Sequence, residues 1–405
     1  MSVADPPSPS RICYFTNVYP APSHTTMRRE IRALEALGAV VTRVAARRFR
    51  GPLVEPADHE EASRTVYTAL SLLAALRGVC RVALTRPRRL AQALHDAVAV
   101  GAQSERGVWK YLMYVGEAAV LLRAARGCDH IHANFGNATS IAIMCRVLGG
   151  PPVSLRIHGP EEFESFTPAE WAWKLRHAAF VAPISEHGSQ RVRALVHAHH
   201  HHKVQTLRCG VDAMFASDAG RPGLPAGLRL VCVARLEPRK GHEVLLQAMA
   251  LLQRDGLPVS LRLVGDGSLR AHLEQRGREL LQPGTVVFAG WLDGAGVGEA
   301  MGAARVVVLP SFAEGLPIVL MEAFAADRVA VATSVAGVPE LVMPGHTGWL
   351  VEPGDAPALA MALKAALLSP DRVLMQMAAA GQERVRERHA VGPLMAELLV
   401  RMRRP

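Results

Sequence analysis

The chain is 405 residues long, half of them hydrophobic, with 46 Lys and Arg against 36 Asp and Glu and a formal net charge of +10. That length and apolar content predict two domains with sizeable cores and exclude a largely disordered chain. The charge calls for an anionic partner; with only 5% aromatic residues, stacking on exposed bases is disfavoured, so a phosphorylated substrate or an acidic lipid surface is expected and nucleic acid is not.

Residues 1–10 are rich in Pro and Ser and carry neither a basic leader nor an apolar stretch, so no secretory signal is expected. In the first half, apolar strands are predicted at 12–15, 40–45, 130–133, 153–157, 180–183 and 204–207, with an amphipathic helix at 27–37. The longest apolar stretches, such as 69–76, are too short to span a bilayer. The segment around them sets Arg77, Arg81, Arg86, Arg88 and Arg89 among Leu72, Leu73, Leu76, Val79, Val82 and Leu84. Such a basic amphipathic stretch suits an anionic membrane surface, the alternative being an ordinary helix that snorkels its arginines. The histidines of 197–202 have no carboxylate or cysteine close in sequence and read as a solvated loop rather than a metal tract. The six cysteines (Cys13, Cys80, Cys128, Cys145, Cys209 and Cys232) form no Cys-x-x-Cys pair and read as reduced thiols of a cytoplasmic protein.

Gly220, Pro222, Gly223, Pro225 and Gly227 crowd one stretch and predict a linker over 217–227. It separates an N-terminal domain, 1–216, from a C-terminal domain, 228–385, followed by a last helix, 386–405, expected to pack back on the first domain. Strands in the second half are predicted at 228–233, 261–264, 286–288, 306–309, 329–332 and 350–351, with helices at 243–254, 268–279 and 356–368. Apolar strands alternating with helices indicate parallel sheets covered on both faces. The fold class is therefore α/β, with two doubly wound, Rossmann-like domains facing a cleft, and ligands are expected at the strands' C-terminal ends.

Two glutamates stand at such an end. Glu314 follows the strand 306–309, and Glu322 lies inside an apolar run, 318–326, of helical length, with Pro317 where a first helical residue would be. A carboxylate set among Val319, Met321 and Phe324 needs hydrogen-bond donors if it is buried. Alone, either glutamate is equally well explained by a core ion pair or a solvated loop. After the strand 228–233 come Arg235 and Lys240, straddling a strand-to-helix loop; a planar fork and a mobile ammonium together suit a diphosphate. Gly265-Asp266-Gly267 forms a tight turn after the next strand.

In this order, Arg235-Leu236-x-x-x-Lys240-Gly241, Val264-Gly265-Asp266-Gly267 and Pro310-Ser311-x-x-Glu314-Gly315-x-Pro317-x-x-x-x-Glu322-Ala323 resemble the retaining family 4 glycosyltransferases, whose fold is GT-B. Gly337-Val338-Pro339-Glu340 and Gly345-His346-Thr347-Gly348-Trp349 extend the likeness over nearly all of the second domain. In the first domain, His132-Ala133-Asn134-Phe135-Gly136, Arg156-Ile157-His158-Gly159, Ile184-Ser185 and Cys209-Gly210-Val211-Asp212 are similar to the branch that builds bacterial exopolysaccharides such as colanic acid. The sequence departs from the family where Tyr19-Pro20-Ala21-Pro22-Ser23-His24-Thr25-Thr26 replaces a common Gly-Gly loop, and where Cys209 and Ala234 replace the commoner Asn and Gly.

The resemblance implies a first domain for the acceptor and a second for a nucleotide-diphospho-sugar, UDP- or GDP-linked, as co-substrate. Glu322 would take the ribose diol, Arg235 and Lys240 the diphosphate, and Glu314 with the amides of Gly315 and Leu316 the sugar hydroxyls. Gly265, Gly267, Pro317 and Ile318 would complete the donor side, His158 would reach the sugar, and Ser23, His24, Asn134, Phe135 and Gly136 would lie toward the acceptor. The acceptor would be lipid-linked or an oligosaccharide, reached at the cytoplasmic face of a membrane. No Asp-x-Asp occurs in the chain, so no metal and no further cofactor is expected, and cationic side chains would stabilise the leaving phosphate. An epimerase or hydrolase of the same fold is the competing enzyme reading. A nucleic-acid-binding protein would leave the glutamates unexplained, and a nicotinamide dehydrogenase would need a Gly-x-Gly-x-x-Gly after the first strand.

Overall fold

The structure, a computed structural model, describes residues 10–22, 24–53, 55–68, 72–212 and 223–403. Ser23 and much of the expected linker 217–227 lie outside the described residues. The chain divides into two compact units, 1–208 with 392–405, and 209–391.

The first unit holds β1 (Arg11–Val18), β2 (Val40–Arg47), β3 (Val66–Tyr67), β4 (His130–Asn134), β5 (Val153–Ile157) and β6 (Phe180–Pro183). Their order is β3-β2-β1-β4-β5-β6, with every pairing parallel. Strand β1 sits between β2 and β4, Thr16 facing Ala45 on one side and Asn134 on the other. The strand order reverses there, and β4 and β5 are buried along their whole length, as strands covered on both faces are, even where they carry polar side chains such as His132 and Arg156. Strand β3 has only two residues, too short for any periodicity to announce it.

The second unit repeats the plan with β7 (Leu228–Val233), β8 (Val259–Val264), β9 (Val286–Gly290), β10 (Val306–Leu309), β11 (Val329–Thr333) and β12 (Gly348–Val351), ordered β12-β11-β10-β7-β8-β9 and again all parallel. Here β7 is the central strand, paired with β8 and β10. Its core gathers Leu230, Leu245, Leu261, Val306, Val329 and Leu363, all buried.

Three expectations need correction. Residues 204–207 are extended, with the amides of Gln205 and Leu207 donating to the carbonyls of Val181 and Pro183, but they form only a bridge at Val204 and no further strand. Their own carbonyls go instead to guanidinium groups: Val204 to Arg193, Leu207 to Arg156, Gln205 and Thr206 to Arg401. The stretch 386–405 is not one helix. The helix Asp371–Arg388 ends where His389 accepts from the amide of Val211 at 2.8 Å, and a separate helix, Val391–Arg403, follows. From Gly392 on, that helix belongs to the first unit, Arg401 and Arg403 reaching Gln205, Thr206 and Ser10. Pro317 is also displaced from its expected place: its ψ of 113° is extended, so it caps the helix Ile318–Ala325 from outside rather than starting it.

Among the described residues no helix is long and apolar enough to cross a membrane.

Candidate functional site

In the second unit the loop 234–241 leaves β7 and is stitched to the turn after β8. The amide of Leu236 donates to the carbonyl of Asp266 at 3.0 Å, and that of Leu269 to the carbonyl of Leu236 at 3.0 Å. Only glycine fits the contact. A Cβ on Gly265, whose φ is +126°, would lie 2.1 Å from the carbonyl oxygen of Ala234, and one on Gly267 would lie 2.5 Å from that of Leu236. These two glycines therefore shape the loop that carries the basic residues.

The far end of the loop is pinned to the end of β10. Gly241 has φ +67°, a Cβ there would lie 2.0 Å from the carbonyl oxygen of Pro310, and the amide of Phe312 donates to the carbonyl of Arg239 at 2.8 Å. This docking brings two of the expected residues together: Lys240 Nζ donates to Glu314 Oε1 at 2.5 Å. Ser311 Oγ donates to the same oxygen at 2.6 Å, and Thr333 Oγ1 holds the Ser311 carbonyl at 2.5 Å. Glu314 is buried and Lys240 nearly so, so the pair is a charge-assisted bond with little water to weaken it. Both residues stand at the C-terminal ends of adjacent parallel strands, where doubly wound sheets bind ligands.

Arg235 does not join that pair. It turns to Glu237, 2.8 Å away, a residue that also lies 3.3 Å from Arg239 and that sequence reasoning did not single out. Glu322 lies partly buried in the second turn of Ile318–Ala325, between Met321 and Ala323. Leu316 and Pro317 are buried, Gly315 and Ile318 partly so, and the Gly315 carbonyl accepts from Gly337 at 3.0 Å. His242, also missed, opens the helix His242–Arg254 beside Lys240-Gly241. Among the described residues neither of its ring nitrogens has a hydrogen-bond partner. Burial, with the nearby Lys240 charge, lowers its pKa to about 4, so it is neutral at physiological pH.

In the first unit, His158 follows β5 and stacks on Phe135, ring centroids 4.3 Å apart; Phe135 also stacks with His24 at 5.6 Å. Phe135 holds φ +65° as the cap of the helix Gly136–Val147, a conformation a bulky residue takes only when its surroundings enforce it. His158 Nε2 is 2.9 Å from Asn134 Oδ1, and Tyr14 Oη donates to Glu30 at 2.7 Å and to Asn134 at 3.4 Å. Arg156 donates to the other Glu30 oxygen at 2.7 Å, both side chains fully buried. Four of the expected residues, His24, Asn134, Phe135 and His158, thus form one cluster, with Gly136 opening the adjoining helix. A buried chain from Arg156 through Glu30 and Tyr14 fixes the amide on which His158 rests. Desolvation and the Arg156 and His24 charges push the His158 pKa well below the usual histidine range, which makes it a neutral ring whose Nε2 donates to Asn134.

Below this cluster, the Glu162 carboxylate accepts from the amides of His158 and Gly159. Burial raises its pKa from 4.5 to about 7. Between those values the folded chain keeps a proton that the unfolded chain has released, so stability falls as pH rises through that window and the deficit persists above it. Glu162→Gln retains an acceptor oxygen without the titration. Its melting temperature, measured by calorimetry, is expected to match the parent near pH 4.5 and to exceed it increasingly up to pH 7. A constant difference across that range would contradict the assignment.

The histidines of 197–202 border or lie in a short 3-10 helix, Ala198–Lys203, with His201 Nε2 3.0 Å from the carbonyl of Arg193. Among the described residues no group of three or more His, Cys, Asp or Glu is placed to hold a metal ion.

Residues 227–369 match the family described as Glycosyl transferases group 1. The chain is 31% identical over 250 residues to WcaL of Salmonella typhimurium, which is named for colanic acid biosynthesis glycosyltransferase activity; the match covers 58% of this chain and 60% of WcaL, less than two thirds of that relative's length. It is 30% identical over 264 residues to the alpha-D-kanosaminyltransferase of Streptomyces kanamyceticus, covering 60% of this chain and 68% of that one. In fold it is similar to Anabaena HepE, solved in complex with UDP-glucose, with a TM-score of 0.72 at 18% identity over 96% of this chain and 99% of the other.

Proposed function

We propose a reaction from one premise: the chain belongs to the glycosyl transferases group 1 family. The proposed reaction moves a sugar from a UDP- or GDP-linked donor to a lipid- or polysaccharide-linked acceptor in exopolysaccharide synthesis, with retention at the anomeric carbon. The observation that carries the reading is the Lys240–Glu314 pair at the ends of β7 and β10. The names of the relatives, one in colanic acid synthesis and one a kanosaminyltransferase, support it, as does the fold shared with a protein crystallised with UDP-glucose.

In this reading, charge develops on the leaving phosphate as the anomeric C–O bond breaks. Lys240 gives one N–H to Glu314 and keeps two for phosphate oxygens, and Arg235 adds a planar fork once a ligand competes with Glu237. The N-terminus of the helix Ile318–Ala325 contributes its partial positive charge. Because these groups are fixed before the reaction, little reorganisation is needed when the charge appears. The acceptor hydroxyl attacks from the face the phosphate leaves, and a phosphate oxygen takes its proton. Glu314 positions the sugar by accepting its hydroxyls, Glu322 takes the ribose diol, and His158, whose one N–H is given to Asn134, is assigned to the sugar as a neutral acceptor through Nδ1. Gly265 and Gly267 serve the donor side through the loop they shape. No divalent ion enters the proposal, so transfer is expected to survive a chelator.

Thermal unfolding with UDP-, GDP- and ADP-sugars tests the reading. A donor present at about a hundred times its Kd adds about 2.7 kcal/mol to the stability of the folded state and raises Tm by several degrees. Anomer analysis of the product with that donor should then show retention. Failure of all these donors to shift Tm, an inverted product, or release of free sugar alone would each refute the proposal, the last in favour of a hydrolase.

A further inference from the structure

The helix Leu72–Thr85 turns its large apolar side chains to water. Leu84 is 86% exposed, and Leu72, Leu73 and Leu76 are each more than half exposed. The side it packs is made of small residues. A Cβ on Gly78 would lie 3.0 Å from that of Ala119, and one on Gly116 would lie 3.2 Å from that of Ala75, so the helix closes on its neighbour Gly107–Ala124 through Ala75 and Gly78 and leaves the leucines outside. The same register runs the two helices side by side in one direction. Met113 is then level with Leu72, and Trp109, 81% exposed, lies a turn further toward the start. Both helices therefore leave large apolar side chains exposed. An exposed apolar cluster of this extent is unusual on a surface that faces only water.

The charges around it have one sign. Arg77, Arg81, Arg88 and Arg89 are exposed, and among the described residues none of them pairs with a carboxylate. No Asp or Glu occurs in the sequence between Glu61 and Asp96. Where this helix meets the next, Pro87–Gly101, a shallow recess of about 530 Å³ is lined by Arg86, Pro87, Arg88, Arg89 and Gly149. Arg86 is fixed there by donating to the carbonyls of Leu148 and Gly149 at 3.2 and 2.8 Å.

We propose that this face docks the protein peripherally on an anionic lipid bilayer. Leu72, Leu73, Leu76 and Leu84 enter the interface, and Arg77, Arg81, Arg88 and Arg89 meet lipid phosphates. A bilayer is the occupant that offers both halves of the match at once, a layer of negative charge directly over an apolar interior. The proposal goes beyond sugar transfer and does not depend on it.

Flotation of the full chain with vesicles of phosphatidylcholine, with and without phosphatidylglycerol, is the test. The parent should float with the anionic vesicles only, and less as salt is raised. Leu73→Gln/Leu76→Gln/Leu84→Gln and, separately, Arg77→Gln/Arg81→Gln/Arg88→Gln/Arg89→Gln should each partition at least about tenfold more weakly. Circular dichroism and the nucleotide-sugar shift in Tm should be unchanged in both, since every substituted side chain is exposed. No flotation of the parent on anionic vesicles, or equal flotation of the variants, overturns the proposal. So does a concentration-dependent dimer in sedimentation that only the leucine variant abolishes while flotation persists, which would assign the face to a second copy.

Discussion

Lys240→Met is expected to lower kcat and kcat/KM together by about a hundred- to a thousandfold, the loss typical of removing one prearranged donor from developing negative charge. The side chain does two jobs that must be separated. It neutralises Glu314, whose Oε1, among the described residues, otherwise receives only the Ser311 hydroxyl at 2.6 Å, so the single variant also destabilises the fold. Stranding a buried carboxylate costs about 3–5 kcal/mol, and less here because Lys240 retains some exposure. Lys240→Met/Glu314→Leu removes both charges and replaces them with apolar volume, which is often neutral for stability. The double variant should therefore regain most of the Tm and none of the rate. Recovery of both would mean that the ion pair is only structural.

Gly241→Ala is expected to cost more than about 4 kcal/mol of stability, in the range that marks a named backbone defect. Two effects add. A left-handed alanine costs about 1–2 kcal/mol wherever it occurs, and here its Cβ would also fall 2.0 Å from the Pro310 carbonyl oxygen, where no rotamer change can relieve it. Gly38 is the internal control, with φ +83° and nothing within 4 Å of its added Cβ. Gly38→Ala should lose the conformational part alone. Denaturant midpoints of the two variants measure the difference. Equal losses would show that the 234–241 loop is not held against the end of β10 by close backbone contact.

The sheets were largely legible because parallel strands buried on both faces read as unbroken apolar runs. Apolar stretches such as 306–309 and 329–332 stand in the structure where the pattern places them, in the strands Val306–Leu309 and Val329–Thr333. The helix Ala356–Leu368 keeps its bounds as well, its start marked by Asp355, whose side chain accepts from the amide of Ala358. What escaped depends on partners far away in sequence. A proline declares its φ but not its ψ, so Pro317 could not be told from a first helical residue. Arg235 was assigned by its place in the loop after β7 and by the motif around it, and its pairing with Glu237 follows from the path of the loop. Nothing local marks Glu30 as the partner of Arg156 across 126 positions of sequence, or His389 as the residue that ends a helix by accepting from Val211. The glycines were visible as a turn signal. Their role in packing one loop onto another appears only when a Cβ is placed on each.

The central claim is that Lys240, held by Glu314, meets the second phosphate of a nucleotide. Calorimetric titration of the parent and of Lys240→Met/Glu314→Leu with UDP, GDP, UMP and GMP tests it directly. The parent should bind one diphosphate at least about tenfold tighter than its monophosphate, and the double variant should lose that preference while keeping the monophosphate affinity. An undiminished preference for the diphosphate in the double variant would contradict it.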